Sequence, residues 1–145
     1  MQVEFARALN SVRDITAAET ELRSILKKQP SNPDACYLLG ALLVQKGKDT
    51  EAMTLLEKAS AAAPNAWGAC CYLGRARLQD NDAQSAAPSL EKAASLNPDE
   101  SAVFHHLSGA LKALGRDAEA RKASARVAEL KRKGMERDQD AVILR

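Results

Sequence analysis

Residues 33–64, PDACYLLGALLVQKGKDTEAMTLLEKASAAAP, decide the fold of this chain, because the rest repeats them with variations. In the first half Cys36, Leu39, Gly40 and Leu43 recur at spacings of three and four, the stripe of a helix that buries one face. Ala52, Leu56 and Ala59 do the same in the second half. Between them Lys46, Gly47, Lys48 and Asp49 interrupt the apolar pattern, and Gly47 is free to take the left-handed conformation that ends a helix. A helical hairpin of this kind covers only one of its faces and needs neighbours of its own type.

The chain supplies those neighbours at a fixed step. Pro30, Pro64 and Pro98 stand 34 residues apart, the mark of stacked repeats. Ala18, Ala52, Ala86 and Ala120 form a second series, and Phe5, Leu39, Leu73 and Leu107 a third. Ala6, Gly40, Gly74 and Ser108 keep the step as small residues; Leu22, Leu56 and Leu90 keep it until Ser124 breaks the run. Small residues let two helix backbones approach, and leucines fill the space around the contact.

The order L-G-x-x-apolar, then A-x-x-x-L-x-x-A, then proline, with a period of 34, resembles the tetratricopeptide repeat. The resemblance implies an all-α, right-handed α-solenoid of antiparallel helix pairs. It covers residues 1–134 as a single domain of four units, about 1–32, 33–66, 67–100 and 101–134, with 135–145 left as a C-terminal tail or helix extension. Departures from the pattern are specific. Gln2, Cys36 and Cys70 replace the family's first aromatic, which is kept as Phe104, and Arg77 stands where a Tyr or Leu is usual. Ser124 and Arg132 replace the Leu and Pro of unit four, which reads as an end cap.

Composition agrees with a helical stack. The 145 residues are 46% apolar and 3% aromatic, which suits close helix packing and argues against a sheet-rich fold. With 21 Lys and Arg against 19 Asp and Glu, the charge points to no nucleic-acid partner. Three cysteines without CxxC spacing form no disulfide framework and slightly favour a reducing, cytoplasmic setting. The longest apolar run, residues 37–44, is too short to span a bilayer, and no secretion signal opens the sequence.

Local signals fix the expected joints. Pro33 after Asn32 suits the first position of a helix. Ser31 and Asn32, Asn65, and Asp99 are candidate caps for the helices that follow the three prolines. Arg13 and Asp14 make a first turn without glycine, Asn81 and Asp82 form the turn of unit three, and Gly115 that of unit four. Pro88 lies more than one turn into a helix, where a bend or an irregular start is expected. The charged run Arg121, Lys122, Arg126, Glu129, Lys131, Arg132 and Lys133 reads as the solvated face of a cap, and the helix ends at Gly134 or continues through Met135. For Ala141 to Leu144 the first expectation is a fold-back onto the last helix, ahead of a truncated stub or a contact with another molecule.

In tetratricopeptide repeats the first helices line a concave groove, and six positions of each unit point into it. Carried over, these are Asp34, Tyr37, Leu38, Ala41, Val44 and Gln45 in unit two, and Gly68, Cys71, Tyr72, Arg75, Leu78 and Gln79 in unit three. Unit four gives Ala102, His105, His106, Gly109, Lys112 and Ala113; unit one adds Val3, Glu4, Arg7, Asn10 and Ser11. Tyrosine and arginine are frequent binding anchors, so the implied ligand is a peptide or protein segment with apolar and acidic groups.

More specific chemistry finds no support in the residues. The clamp with which some family members hold a C-terminal carboxylate would fall on Val3, Arg7, Leu38, Gly68 and Tyr72, or on Tyr37, Ala41, Tyr72, Ala102 and His106, and neither set supplies its Lys, Asn and Arg. Cys71, His105 and His106 lack the number and spacing of zinc ligands. No nucleophilic triad, phosphate loop or acid pair stands out, so no cofactor and no enzymatic activity are expected. The expectation is a non-catalytic binding scaffold, monomeric more readily than dimeric; the alternative is an assembly module that associates through its terminal helix or tail.

Overall fold

The computed structural model describes residues 15–143, with side chains described up to Met135 except that of Asp49. These residues form seven helices: α1 (Ile15–Lys28), α2 (Pro33–Gln45), α3 (Asp49–Ala62), α4 (Trp67–Gln79), α5 (Ala83–Leu96), α6 (Ser101–Ala113) and α7 (Asp117–Ile143). Helices α2, α4 and α6 begin 34 residues apart, and so do α1, α3, α5 and α7. Consecutive helices pack on one another, α2 also touches α4, and α4 touches α6, which is the connectivity of an all-α solenoid built from helical hairpins. The first helix expected for unit one, with Phe5, Ala6 and Leu9, and the turn at Arg13 and Asp14 lie outside the described residues.

The turns inside the hairpins repeat atom for atom. Gly47, Asn81 and Gly115 take φ values of 79°, 62° and 77°, the left-handed conformation. At each turn that residue's amide donates to the carbonyl three residues back, Val44, Leu78 or Lys112, and the next amide donates five back to Leu43, Arg77 or Leu111. Asparagine is one of the few side-chain-bearing residues that enter this region at low cost, so Asn81 substitutes for glycine.

Between hairpins the caps follow local geometry. Asn32 caps α2, its side-chain oxygen accepting the Ala35 amide at 3.0 Å, with Pro33 in the first turn. Asn65 and Asp99 do not cap: the chain reaches α4 through Ala66, which offers no side-chain acceptor, and Glu100 accepts the Ala102 amide at the start of α6. Each lies one residue short of the position from which its oxygen would meet the first free amides.

The small-residue series explains how the hairpins close. A β-carbon on Gly40 would stand 2.7 Å from Leu56 Cγ, and one on Gly74 would stand 2.5 Å from Leu90 Cγ. Around these contacts Leu22, Leu39, Leu43, Leu56, Leu90 and Val103 are fully covered, in a core that follows the stack. Cys36 and Cys70 are buried within it as small fillers. In unit four both partners change. Ser108 and Ser124 share a hydrogen bond of 2.7 Å, and the Ser108 hydroxyl donates to the Ala120 carbonyl at 3.2 Å.

Two departures carry structural work. The Arg77 guanidinium donates to Ser89 Oγ at 2.7 Å, to the Ser85 carbonyl at 3.4 Å and to Glu57 at 3.4 Å, tying α4 to α5 and α3. It meets α5 beside Pro88, which sits exposed inside an uninterrupted helix instead of marking an irregular start. Arg126 is likewise more than a solvated charge, since it lies 5.9 Å over the Phe104 ring and donates to the Pro98 carbonyl at 3.0 Å. Helix α7 continues through Gly134 and Met135 to Ile143, so the segment leading to the tail extends the helix and does not fold back.

Candidate functional site

Helices α2, α4 and α6 line one face, made continuous by the direct contacts of α4 with α2 and α6. In its middle the rings of Tyr37 on α2 and Tyr72 on α4 meet edge to face, with centroids 6.0 Å apart and planes at 73°. The Tyr37 phenol lies over Gly68, where a β-carbon would come within 2.5 Å of the hydroxyl oxygen. That contact gives Gly68 a reason of its own: any larger residue would displace the ring. Leu38 is half-buried against the same core cluster. Leu78 reaches across to Gly109, 3.5 Å from where a side chain would start, an ordinary packing contact, and Gly109 itself is exposed.

At the other end α6 contributes adjacent rings. His105 is exposed and His106 half-buried, with centroids 5.3 Å apart and planes at 67°. Burial holds the His106 pKa below the ordinary imidazole value, and the charges of Arg75 and His105 act in the same direction. Arg75, on α4, is half-buried and forms no ion pair or hydrogen bond among the described residues. Lys112 is exposed two turns beyond His105 on the same helix.

Three expected groove residues do not reach solvent. Val44 is 1% exposed, and Ala41 and Cys71 are each 7% exposed. Val44 belongs to the cluster that holds Leu73 and Ala76, and Cys71 to the one that holds Val103 and Leu107. Adjacent first helices pack so closely that these positions become the seam between units, and their role is to shape the wall. Cys71 is also chemically quiet: burial foremost, with Glu100 adding and Arg75 opposing, pushes its thiol up to about 11. The remaining expected positions, Tyr37, Leu38, Tyr72, Arg75, Leu78, His105, His106, Gly109 and Lys112, all keep some exposure. Val3, Glu4, Arg7, Asn10 and Ser11 lie outside the described residues. No three His, Cys, Asp or Glu side chains among the described residues are placed to hold a metal ion. No described helix is long and apolar enough to cross a membrane.

One feature was not foreseen from the repeat positions. A cavity of about 250 Å³ opens where α2 and α4 begin, lined by Asp34, Tyr37, Ala59, Ala63, Trp67 and Gly68, among others. Its signal in the sequence is the run of alanines at 59, 63 and 66 facing the dipeptide Trp67-Gly68: small residues on one side, and a large ring beside a missing side chain on the other.

Two models of the tetratricopeptide repeat family match the sequence, one over residues 11–69 and the other over residues 73–135. The chain belongs to the tetratricopeptide repeat family. Among solved structures it is similar to MamA 41-end from Desulfovibrio magneticus RS-1, with 28% identity and a TM-score of 0.80 over 91% of this chain and 75% of that one. A MamA RS-1 double mutant matches with 28% identity and a TM-score of 0.82, over 92% and 75% of the two chains. MamA MSR-1, at 22% identity, shares the fold with a TM-score of 0.77 over 92% of this chain and 76% of that one. No curated protein matches the sequence. Membership makes the chain a protein-interaction scaffold in general terms.

Proposed function

We propose that the scaffold binds a peptide or protein segment along the face of α2, α4 and α6 and performs no chemistry itself. The observation that carries this is the contrast between residues in one helix. In α4, Leu73 and Gly74 repeat positions of α2 and are buried, whereas Tyr72 and Arg75 differ from their α2 counterparts Leu38 and Ala41 and keep exposure. Side chains that stacking does not require are available for a ligand. The Tyr37–Tyr72 pair offers rigid apolar surface with polar tips, and Arg75 a cation with no ion-pair partner among the described residues, so the ligand combines apolar and acidic groups. The test is a pull-down with the native chain as bait, repeated with Tyr72→Ala and Arg75→Glu. Partners that bind the native chain and drop out with both variants support the groove; the same partners retained by both would remove it.

A second reading is favoured by α7. At 27 residues it is about twice the length of the other second helices, and Met135 on it is 63% exposed. Self-association through this extension would give a concentration-dependent dimer in light scattering that deletion of residues 140–145 abolishes. A monomer at all concentrations rules it out.

A further inference from the structure

We propose that Arg75, His105 and His106 form a proton-linked subsite for the carboxylate of an acidic peptide side chain at the unit-four end of the concave face. This rests on that face being the binding surface, and adds which chemical group is read there and how pH controls it.

The first observation is a comparison among arginines. Arg23, Arg77 and Arg126 are half-buried, and each reaches a carboxylate: Glu51 at 2.7 Å, Glu57 at 3.4 Å and Asp99 at 3.3 Å. Arg75 is equally half-buried and reaches none among the described residues. A guanidinium that has lost part of its water without gaining an anion is poised to accept one. The second observation is what surrounds it. His106 on α6 feels the Arg75 charge from α4 and that of His105 beside it, and no described carboxylate on α4, α5 or α7 acts on its ring. Glu100 is the acid near this corner; its field falls on Cys71, and its oxygen is engaged by the Ala102 amide at 3.4 Å. The third is access. His105 and Gly109 are exposed on this face, and Lys112 adds an exposed cation one turn further on.

A carboxylate seated between Arg75 and the two rings gains a bidentate donor from the guanidinium and, once the imidazoles are protonated, two more N–H donors. In the free protein burial and the neighbouring cations keep His106 from taking up its proton at the ordinary value. A bound anion reverses that balance, so binding and proton uptake strengthen each other. Because the pKa is higher in the complex than in the free protein, the added affinity is full below the free-state pKa. It is lost as pH rises through the bound-state pKa.

The chain has two histidines and two tyrosines, so the ring signals of all four are separable by NMR. The probe is a tetraglutamate peptide at fixed ionic strength, with tetraglutamine as control. Tetraglutamate is expected to raise the His106 pKa by about one unit, which corresponds to roughly tenfold tighter binding at pH 5 than at pH 8. Arg75→Gln is expected to keep the helical circular dichroism, to raise the His106 pKa of the free protein by removing the neighbouring cation, and to lose the further rise on adding tetraglutamate. Unchanged histidine pKa values, an equal rise with tetraglutamine, or a rise that survives Arg75→Gln would each overturn the subsite. Movement of the Tyr37 and Tyr72 rings without the histidines would remove the subsite and leave the groove. A histidine response in a protein whose Tyr72→Ala and Arg75→Glu variants both retain every partner would remove the groove as the partner site and leave the subsite for acidic peptide.

Discussion

Gly74 lies against Leu90 so closely that a methyl group on residue 74 would stand 2.5 Å from Leu90 Cγ, and Leu90 is fully buried with nowhere to retreat. Gly74→Ala should therefore destabilise the fold by about 1–3 kcal/mol despite the better helix propensity of alanine. A lower urea midpoint with an unchanged slope is the result to look for. Unit four shows the other solution to the same contact, with Ser108 and Ser124 at 2.7 Å in place of glycine and leucine. Installing only the leucine, Ser124→Leu, drives it towards the Ser108 β-carbon, whereas adding Ser108→Gly rebuilds the arrangement of units two and three. The double variant should exceed the sum of the singles by about 0.5–3 kcal/mol in a double-mutant cycle. This pairing was legible in the sequence because a repeat prints one contact several times, and both positions change together in the same unit. Cap identity was less legible. Asn65 and Asp99 have the right side chains, but capping depends on a register of one residue that backbone torsions set, and residue type does not reveal those torsions.

Helix starts at 33, 67 and 101 follow the period read from the sequence, because amphipathic spacing and turn residues both report them. Which groove positions stay open depends instead on how closely neighbouring units pack. That distance is a property of pairs of helices, so Ala41, Val44 and Cys71, expected on the surface, lie in the seam. Arg77 is an element-scale brace that its sequence position did suggest: an arginine where a large apolar residue is usual must bring its charge to a partner. Its donors to Ser89, Ser85 and Glu57 join three helices, so Arg77→Ala should cost about 1.5–3 kcal/mol, through hydrogen bonds from a charged donor and lost stem packing. Helix α1 is held more weakly at its surface. Glu19 bonds Lys46 at 2.5 Å and Arg23 at 2.9 Å, and Arg23 bonds Glu51 at 2.7 Å. The Lys46 and Arg23 bonds hold the Glu19 carboxyl below the usual carboxylate range, and the Arg23 bond does the same for Glu51. A carboxyl with a depressed folded-state pKa stabilises above its unfolded value near 4.5, and that contribution is lost as pH falls through the folded value. Glu19→Gln should cost about 0.5–1 kcal/mol at pH 7 and much less at pH 3, as thermal melts at the two pH values would show.

At the scale of the molecule, each described helix touches its sequence neighbours and, where it is a first helix, the first helices of adjacent units, so among the described residues no contact joins α1 to α7. Stability in such a chain is approximately a sum of unit and nearest-neighbour terms, and opening is easiest where a unit has a neighbour on one side only. The fully covered leucines concentrate in the inner helices, with Leu39, Leu42 and Leu43 on α2, Leu56 on α3 and Leu90 on α5, against Leu22 on α1. Among the described residues of α7, Ala120 and Ala123 are the ones in the core, and Met135 is largely exposed. Amide exchange followed by mass spectrometry should find the slowest exchange in α2 to α5 and faster exchange in the first turns of α7. Gly74→Ala should then speed exchange most in α4 and α5, whose contact it disturbs, and less in α1 and α7, one interface further away. Equal acceleration along the whole chain would instead mean that the stack opens as one cooperative body, and that the nearest-neighbour account of this solenoid is wrong.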